Sequence, residues 1–280
     1  FVLAQKGESQ SFLFNVFPPD KQEAATASAI LDVDGKQYRH YLTEIEYEHI
    51  PAQLLFNKSD VRFVKVDLER GNEKIGYVMG AGDNIPENLR QIGYEVDLIN
   101  DLDFDKQTLD QYEVIILGIR ALNTQERLRF DMPKLLDFVY RGGNLIIQYN
   151  TTRGLVTDSF SPYDLELSRG RVAVEEAEIR ILDTEHEVLN TPNKIDEKDF
   201  EHWVQERGLY FPDSWADEYK AVLSSNDPGE KPLDGGLLIS KYGKGHYIYS
   251  SYSWFRELPA GVPGAYRLFV NMLSLGSQAR

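Results

Sequence analysis

The 280-residue sequence predicts an α/β protein. A doubly wound, mostly parallel sheet spans residues 73–280, and a small all-β segment with a partial sandwich spans residues 1–72. Three observations predict this. The runs KIGYVMG, EVIILGI and NLIIQYN are short and apolar throughout, as strands buried on both faces are. Segments with helical spacing and helix-ending glycines separate such runs. Ahead of them, residues 1–72 alternate apolar with polar and are rich in β-branched and aromatic types.

In the N-terminal segment the expected strands are SFLFNVF (11–17), ASAILDV (27–33), KQYRHYL (36–42), TEIEYEHI (43–50) and DVRFVKVDL (60–68). Asp34-Gly35 between two of them is a hairpin signal. ERGN at 69–72 marks a boundary.

The α/β segment starts with KIGYVMG and a helix over IPENLRQIG, where Pro86 suits the first turn, Glu87 the positive end of the helix dipole and Gly93 the stop. YEVDLI (94–99) and EVIILGI (113–119) follow as strands, then a helix over 132–143, then NLIIQYN (144–150). This order calls for parallel pairing through right-handed crossovers. Residues 151–219 read as an irregular insertion rich in charge, aromatics and proline. KAVLSS, GGLLISKYG and GHYIYSSY then return to strand patterns, and the chain ends in a helix over 263–276.

Composition excludes several functions. The net charge of −15 and the absence of a basic patch argue against a nucleic-acid partner. The chain has no cysteine, which removes thiol nucleophiles, disulfides and thiolate metal sites. No apolar run reaches the roughly 20 residues a membrane span requires. The chain opens on Phe rather than Met, which reads as a processed or truncated piece.

The glycine-rich stretch GYVMGAGDN sits where a phosphate-binding loop would, but it lacks the third glycine of G-x-G-x-x-G. Its glycines are read as room for a sharp turn off a buried strand, leaving Asp83 on the rim of the crevice beyond the strand ends. YGKGH fails the P-loop pattern and reads as a hairpin turn, and G-x-S-x-G is absent. Thr151, after NLIIQYN, has no histidine near it in sequence to act as base. The acid-histidine runs 185–187 and 199–202 read as solvated turns, and no metal site is expected in this segment.

DFEHWVQERGLYFPDSW (199–215) sets aromatics among carboxylate, amide and guanidinium groups, a combination suited to sugar rings. The ligand-binding candidates are Asp83, Arg120, Asn123, Asn150, Arg153, Trp203, Glu206, Arg207, Tyr210, Trp254 and Arg256, at strand ends or in the insertion. No catalytic residue is assigned. The competing expectations are a hydrolase using carboxylates such as Asp83 and Glu206, and an interface domain that forms homo-oligomers.

VYRGGNLIIQYN resembles the helix, Gly-Gly and strand that lead to the nucleophile elbow of class I glutamine amidotransferase-like domains, a flavodoxin-like fold. The ending resembles the trehalose-utilisation and β-galactosidase-associated branches. A narrower likeness spans nearly the whole chain. GYVMGAGD, GIRALN, QYNTT, PNKI, WVQERGLYF, NDPGE and FRELPAGVPGAYRLF together look like the C-terminal region of large bacterial PIG-L (LmbE-type) deacetylases.

The resemblance implies a non-catalytic accessory module of a carbohydrate de-N-acetylase. Its partners would be a glycan and an N-terminal deacetylase domain of the same chain, in the periplasm or outside the cell. Zinc is implied only for that absent domain, and no cofactor for this segment. The amidotransferase cysteine and the late His-x-Glu pair are missing, with Ser253, Trp254, Phe255 and Arg256 standing after the last strands.

Overall fold

The computed structural model describes residues 2, 5–17, 20, 24–99 and 106–276. The chain divides into two compact units, Phe1–Asp67 and Leu68–Arg280.

The first unit contains β1 (Ala24–Ser28), β2 (Leu31–Val33), β3 (Lys36–Tyr38), β4 (His40–Tyr47), β5 (Ile50–Lys58) and β6 (Asp60–Val64). Within the described residues they pair as three separate antiparallel ladders, β1 with β6, β2 with β3 and β4 with β5, instead of joining into the expected sandwich. Most of their side chains are exposed on both faces, so no buried face ties one ladder to the next. SFLFNVF forms no strand. Asp34-Gly35 does turn β2 into β3, with both residues at positive φ.

The second unit is built on β7 (Lys74–Val78), β8 (Glu95–Leu98), β9 (Val114–Leu117), β10 (Asn144–Gln148), β11 (Leu165–Val172), β12 (Ile179–Ile181), β13 (Gly208–Trp215), β14 (Tyr219–Ser225), β15 (Leu233–Tyr242) and β16 (Gly245–Ser250). Its helices are α1 (Ile85–Gln91), α2 (Lys106–Leu109), α3 (Ala121–Thr124), α4 (Leu128–Arg141), α5 (Trp254–Glu257) and α6 (Pro263–Leu273). Eight strands form one sheet in the order β12-β14-β15-β16-β10-β9-β7-β8.

The five strands β8-β7-β9-β10-β16 run parallel in the flavodoxin order 2-1-3-4-5. β15, β14 and β12 extend the sheet antiparallel. β12 comes from the insertion, so the insertion supplies an edge of the sheet as well as a flank. β11 and β13 make a separate antiparallel ribbon.

The parallel strands are buried along their length because helices cover the sheet. Leu135, Phe138 and Val139 of α4 share a cluster with Ile115, Leu117, Leu145, Ile147, Tyr247 and Tyr249. α6 buries Leu268, Phe269, Val270, Met272 and Leu273. Asn271, fully buried on α6, donates to the carbonyls of Val188 and Asn193 and accepts from Asn193, which fastens the insertion to the helix. No helix among the described residues is long and apolar enough to cross a membrane.

Candidate functional site at the carboxyl ends of the parallel strands

In an open α/β sheet the loops beyond the strand carboxyl ends form the crevice where ligands bind. Among the described residues four loops meet that description, after β7, β9, β10 and β16.

The loop after β7 is the glycine-rich one, and its geometry is structural. A Cβ on Gly80 would overlap the carbonyl oxygen of Ile119, so only glycine lets this loop lie against the turn after β9. The same turn receives the Ala81 N–H on the Ile119 carbonyl at 2.8 Å. Asp83 is half-buried and occupied. Both of its oxygens accept the Tyr77 hydroxyl at 2.7 Å, and Oδ1 also takes the Ile85 N–H at the start of α1. Gln148 donates to the Tyr77 oxygen at 2.9 Å, which links the ends of β7 and β10. Burial raises the Asp83 pKa, and the Tyr77 hydrogen bond opposes that rise.

Arg120 follows β9 and begins α3 in the left-handed region, at φ 57° and ψ 23°. Its backbone is over-determined: its N–H donates to the Tyr149 carbonyl, and its own carbonyl accepts from Asn123 N–H and from the Thr124 hydroxyl. Its side chain is exposed and, among the described residues, has no hydrogen-bond or ion-pair partner. A left-handed non-glycine residue costs on the order of 1 kcal/mol, and such residues gather at functional sites.

The loop after β10 is braced against α3. Asn150 is fully buried and accepts the Leu122 N–H at 2.9 Å. Asn123 accepts the Thr151 N–H and donates to the carbonyls of Thr151 and Arg153. The Thr151 hydroxyl donates to the Arg153 carbonyl at 2.9 Å. Asn123 and Asn150 thus hold the frame, while the Arg153 side chain is exposed and has no partner among the described residues.

The loop after β16 enters α5. There Arg256 Nε meets Glu206 Oε1 of the insertion at 2.7 Å, with both side chains partly exposed. Beside this pair three rings form a ledge in which Tyr149 is buried and Tyr210 and Phe255 are half-buried. Tyr149 and Tyr210 stack at 6.1 Å between centroids and 6° between planes, and Phe255 lies 5.7 Å from Tyr149. The charges of Arg120, Glu206 and Arg256 all act on the Tyr149 hydroxyl, whose pKa is raised chiefly by burial.

Tyr210 reaches this position through a β-bulge. In the β11–β13 ribbon Arg171 faces Leu209 and Gly170 faces Phe211, which leaves Tyr210 unpaired at φ 55°. A bulge re-aims the side chain of its extra residue, and a bulky residue at positive φ is an outlier that the surrounding structure has to enforce.

The other aromatic and cationic candidates serve the core. Trp203 is 2% exposed and Trp254 fully buried, and the two pack at 5.3 Å with Tyr252 beside both. Neither offers a ring face at the crest, because a large apolar ring gains more by closing the insertion over the sheet. Arg207 is buried and donates to the carbonyls of Ala177 and Phe200; burial lowers its pKa. Trp203 and Arg207 line a separate cleft of about 900 Å³ whose border carries Glu175, Glu176, Glu178 and Glu201.

His186 caps one short 3-10 turn, and Asp199, inside a second, accepts the N–H of its cap Asp196 and pairs with Arg267. Arg120, Glu206, Tyr210 and Arg256 are therefore the predicted residues that gather around one point. Tyr149 and Phe255 complete the ledge, and nothing in the sequence set them apart from ordinary sheet and helix aromatics.

Glu257 holds the crest from below. It is fully buried, and its Oε2 accepts the Val204 N–H at 2.9 Å, just before Gln205 and Glu206. Its other oxygen has no hydrogen-bond partner. Burial lifts its pKa to about 8, against smaller lowering effects from the Val204 hydrogen bond and Arg207.

No protein-family model and no curated protein matches the chain. Solved structures do. The cytoplasmic protein STM3548 from Salmonella typhimurium is 14% identical over 90% of this chain and 95% of its own, with a TM-score of 0.47. PurLQS from Thermotoga maritima is 13% identical over 72% of this chain and 98% of its own, at 0.44. The β-galactosidase from Bacillus circulans sp. alkalophilus is 13% identical over 76% of this chain and 32% of its own, also at 0.44. These values lie below 0.5, and the α/β fold stands on its strand order alone.

Proposed function

We propose that the second unit is a non-catalytic binding module whose crest takes carbohydrate, and that it serves as an accessory domain of a PIG-L-type carbohydrate de-N-acetylase, as the sequence resemblance implies. The observation that carries the binding reading is the bulge at Tyr210. It holds a tyrosine in an unfavourable backbone conformation so that its ring stacks on Tyr149 beside the Glu206–Arg256 pair. Sugar C–H faces suit such a ledge, and hydroxyls suit a carboxylate and a guanidinium fixed side by side.

The polar groups nearest the former elbow position support binding over catalysis. Thr151 spends its hydroxyl on a backbone carbonyl, Asp83 is tied to Tyr77, and Glu206 is tied to Arg256. The two carboxylates a hydrolase reading would pair share no hydrogen-bond partner. A glycan-array screen of the chain beside its Tyr210→Ala variant tests the proposal. Saccharides retained by the wild type and lost by the variant support it. An empty array for both proteins defeats it.

A second reading, an interface domain, is favoured by the first unit, where Tyr41, Leu42, Leu54, Leu55 and Phe56 of β4 and β5 are exposed. Light scattering on the purified chain decides that point, since a strict monomer across micromolar concentrations argues against self-association.

A further inference from the structure

We infer that the saccharide is acidic, with Arg120 and Arg153 receiving its carboxylate or sulfate while Tyr210 and Phe255, the half-buried rings packed on Tyr149, receive the ring. This inference rests on the carbohydrate reading above and adds the class of sugar. It starts from a conflict with composition. The chain has 45 acids and 30 lysines and arginines, so a cation without a counter-ion runs against its surroundings. Yet Arg120 and Arg153, on the adjacent loops after β9 and β10, are both exposed, and among the described residues neither has an ion-pair partner. The carboxylate beside the ledge, Glu206, is already committed to Arg256 at 2.7 Å. The crest therefore presents two guanidinium groups beside the Glu206–Arg256 pair, with Asp83 held apart by the Tyr77 hydroxyl.

The frame is set before binding. Asn150 and Asn123 fasten the β10 loop to α3, and two backbone hydrogen bonds and one from the Thr124 hydroxyl hold the Arg120 backbone in its left-handed conformation. The backbone carrying the cation is thus set in advance, and binding has to order only its side chain. The guanidinium fork meets two oxygens of a carboxylate or sulfate at once. The net charge of −15 does not forbid this, because charges beyond about 8 Å are screened at physiological salt. Nucleic acid would need many phosphate contacts, whereas a short acidic saccharide needs one or two.

The test is isothermal titration of the full chain with three hexasaccharides: a uronate oligomer, a sulfated oligomer and a neutral hexose oligomer. Each is run at 50 and 300 mM salt, against wild type and an Arg120→Gln/Arg153→Gln double variant. Circular dichroism melting confirms that the variant folds. The expected result is at least tenfold tighter binding of one acidic oligomer than of the neutral one. The double variant loses that preference and its salt dependence. Which acidic oligomer wins identifies the anionic group. Equal affinity for all three, or an unchanged preference in the double variant, overturns this inference and leaves the carbohydrate reading standing. No binding of any of them overturns both.

Discussion

Replacing Glu257 with glutamine should change how stability depends on pH by an amount the structure sets. The carboxyl is fully buried, bonded through one oxygen to Val204 N–H, and its pKa stands near 8. Its ordinary value is 4.5. Below pH 4.5 both folded and unfolded chains carry the proton, and above about 8 neither does. Between those limits the folded chain holds a proton that the unfolded chain releases. Stability from this group is thus fully present at low pH and lost as pH climbs through the window, at about 1.4 kcal/mol per pH unit. From pH 5 to pH 7.5 the loss is about 3 kcal/mol.

Glutamine cannot titrate, and every other group titrates alike in both proteins. The wild-type-minus-variant stability difference should therefore fall by about 3 kcal/mol across that range. Urea unfolding at pH 5, 6, 7 and 7.5, followed by tryptophan fluorescence, measures it. All three tryptophans lie in the second unit, so the signal reports on that unit. Parallel stability curves for the two proteins would refute the assignment of a buried, proton-holding Glu257. The window matters for the crest as well, since the bond to Val204 fixes the segment carrying Glu206.

Trp203→Ala should cost about 3–5 kcal/mol, because it empties a fully enclosed site against Trp254, Tyr252 and Phe200. Chemical denaturation checks this, and a cost under 1 kcal/mol would restore Trp203 as a surface ring. Arg120→Gly relieves left-handed strain but loosens the unfolded chain, so stability should stay within about 1 kcal/mol of wild type while acidic-sugar binding falls. A larger loss in thermal melting would show a structural role for the side chain. Gly118→Ala brings a Cβ to 2.9 Å from the Tyr77 hydroxyl and 3.0 Å from Asp83 Oδ2. It should cost about 1–3 kcal/mol and speed amide exchange at residues 81–85, and unchanged exchange there would count against the Tyr77–Asp83 lock.

The parallel core was legible because strands covered on both faces leave runs such as VIIL and NLIIQ, with no polar alternation to confuse them. The β15–β16 hairpin was legible from its Tyr-Gly-Lys-Gly turn. The N-terminal register was not. β4 runs unbroken through Leu42-Thr43, where the sequence suggested a division, and turns at Glu48-His49, which carries no glycine, proline, asparagine or aspartate. β5 holds Pro51, a residue that argues against strand, near its start.

At the candidate site, composition grouped residues that the fold separates. Tryptophan beside glutamate and arginine reads alike whether the ring faces water or the core, and Trp203 and Trp254 chose the core. The bulge that turns Tyr210 onto Tyr149 depends on a two-against-one pairing between distant strands, which local sequence does not encode.

The most direct test of a binding, non-catalytic crest is a titration of isotope-labelled chain with the tightest saccharide from the array, followed by NMR. The expected result is shift changes centred on residues 120, 149, 153, 206, 210, 255 and 256, with the saccharide recovered intact. Changes confined to the acidic cleft around Glu175 and Glu201, or release of acetate or shorter sugars, would contradict it.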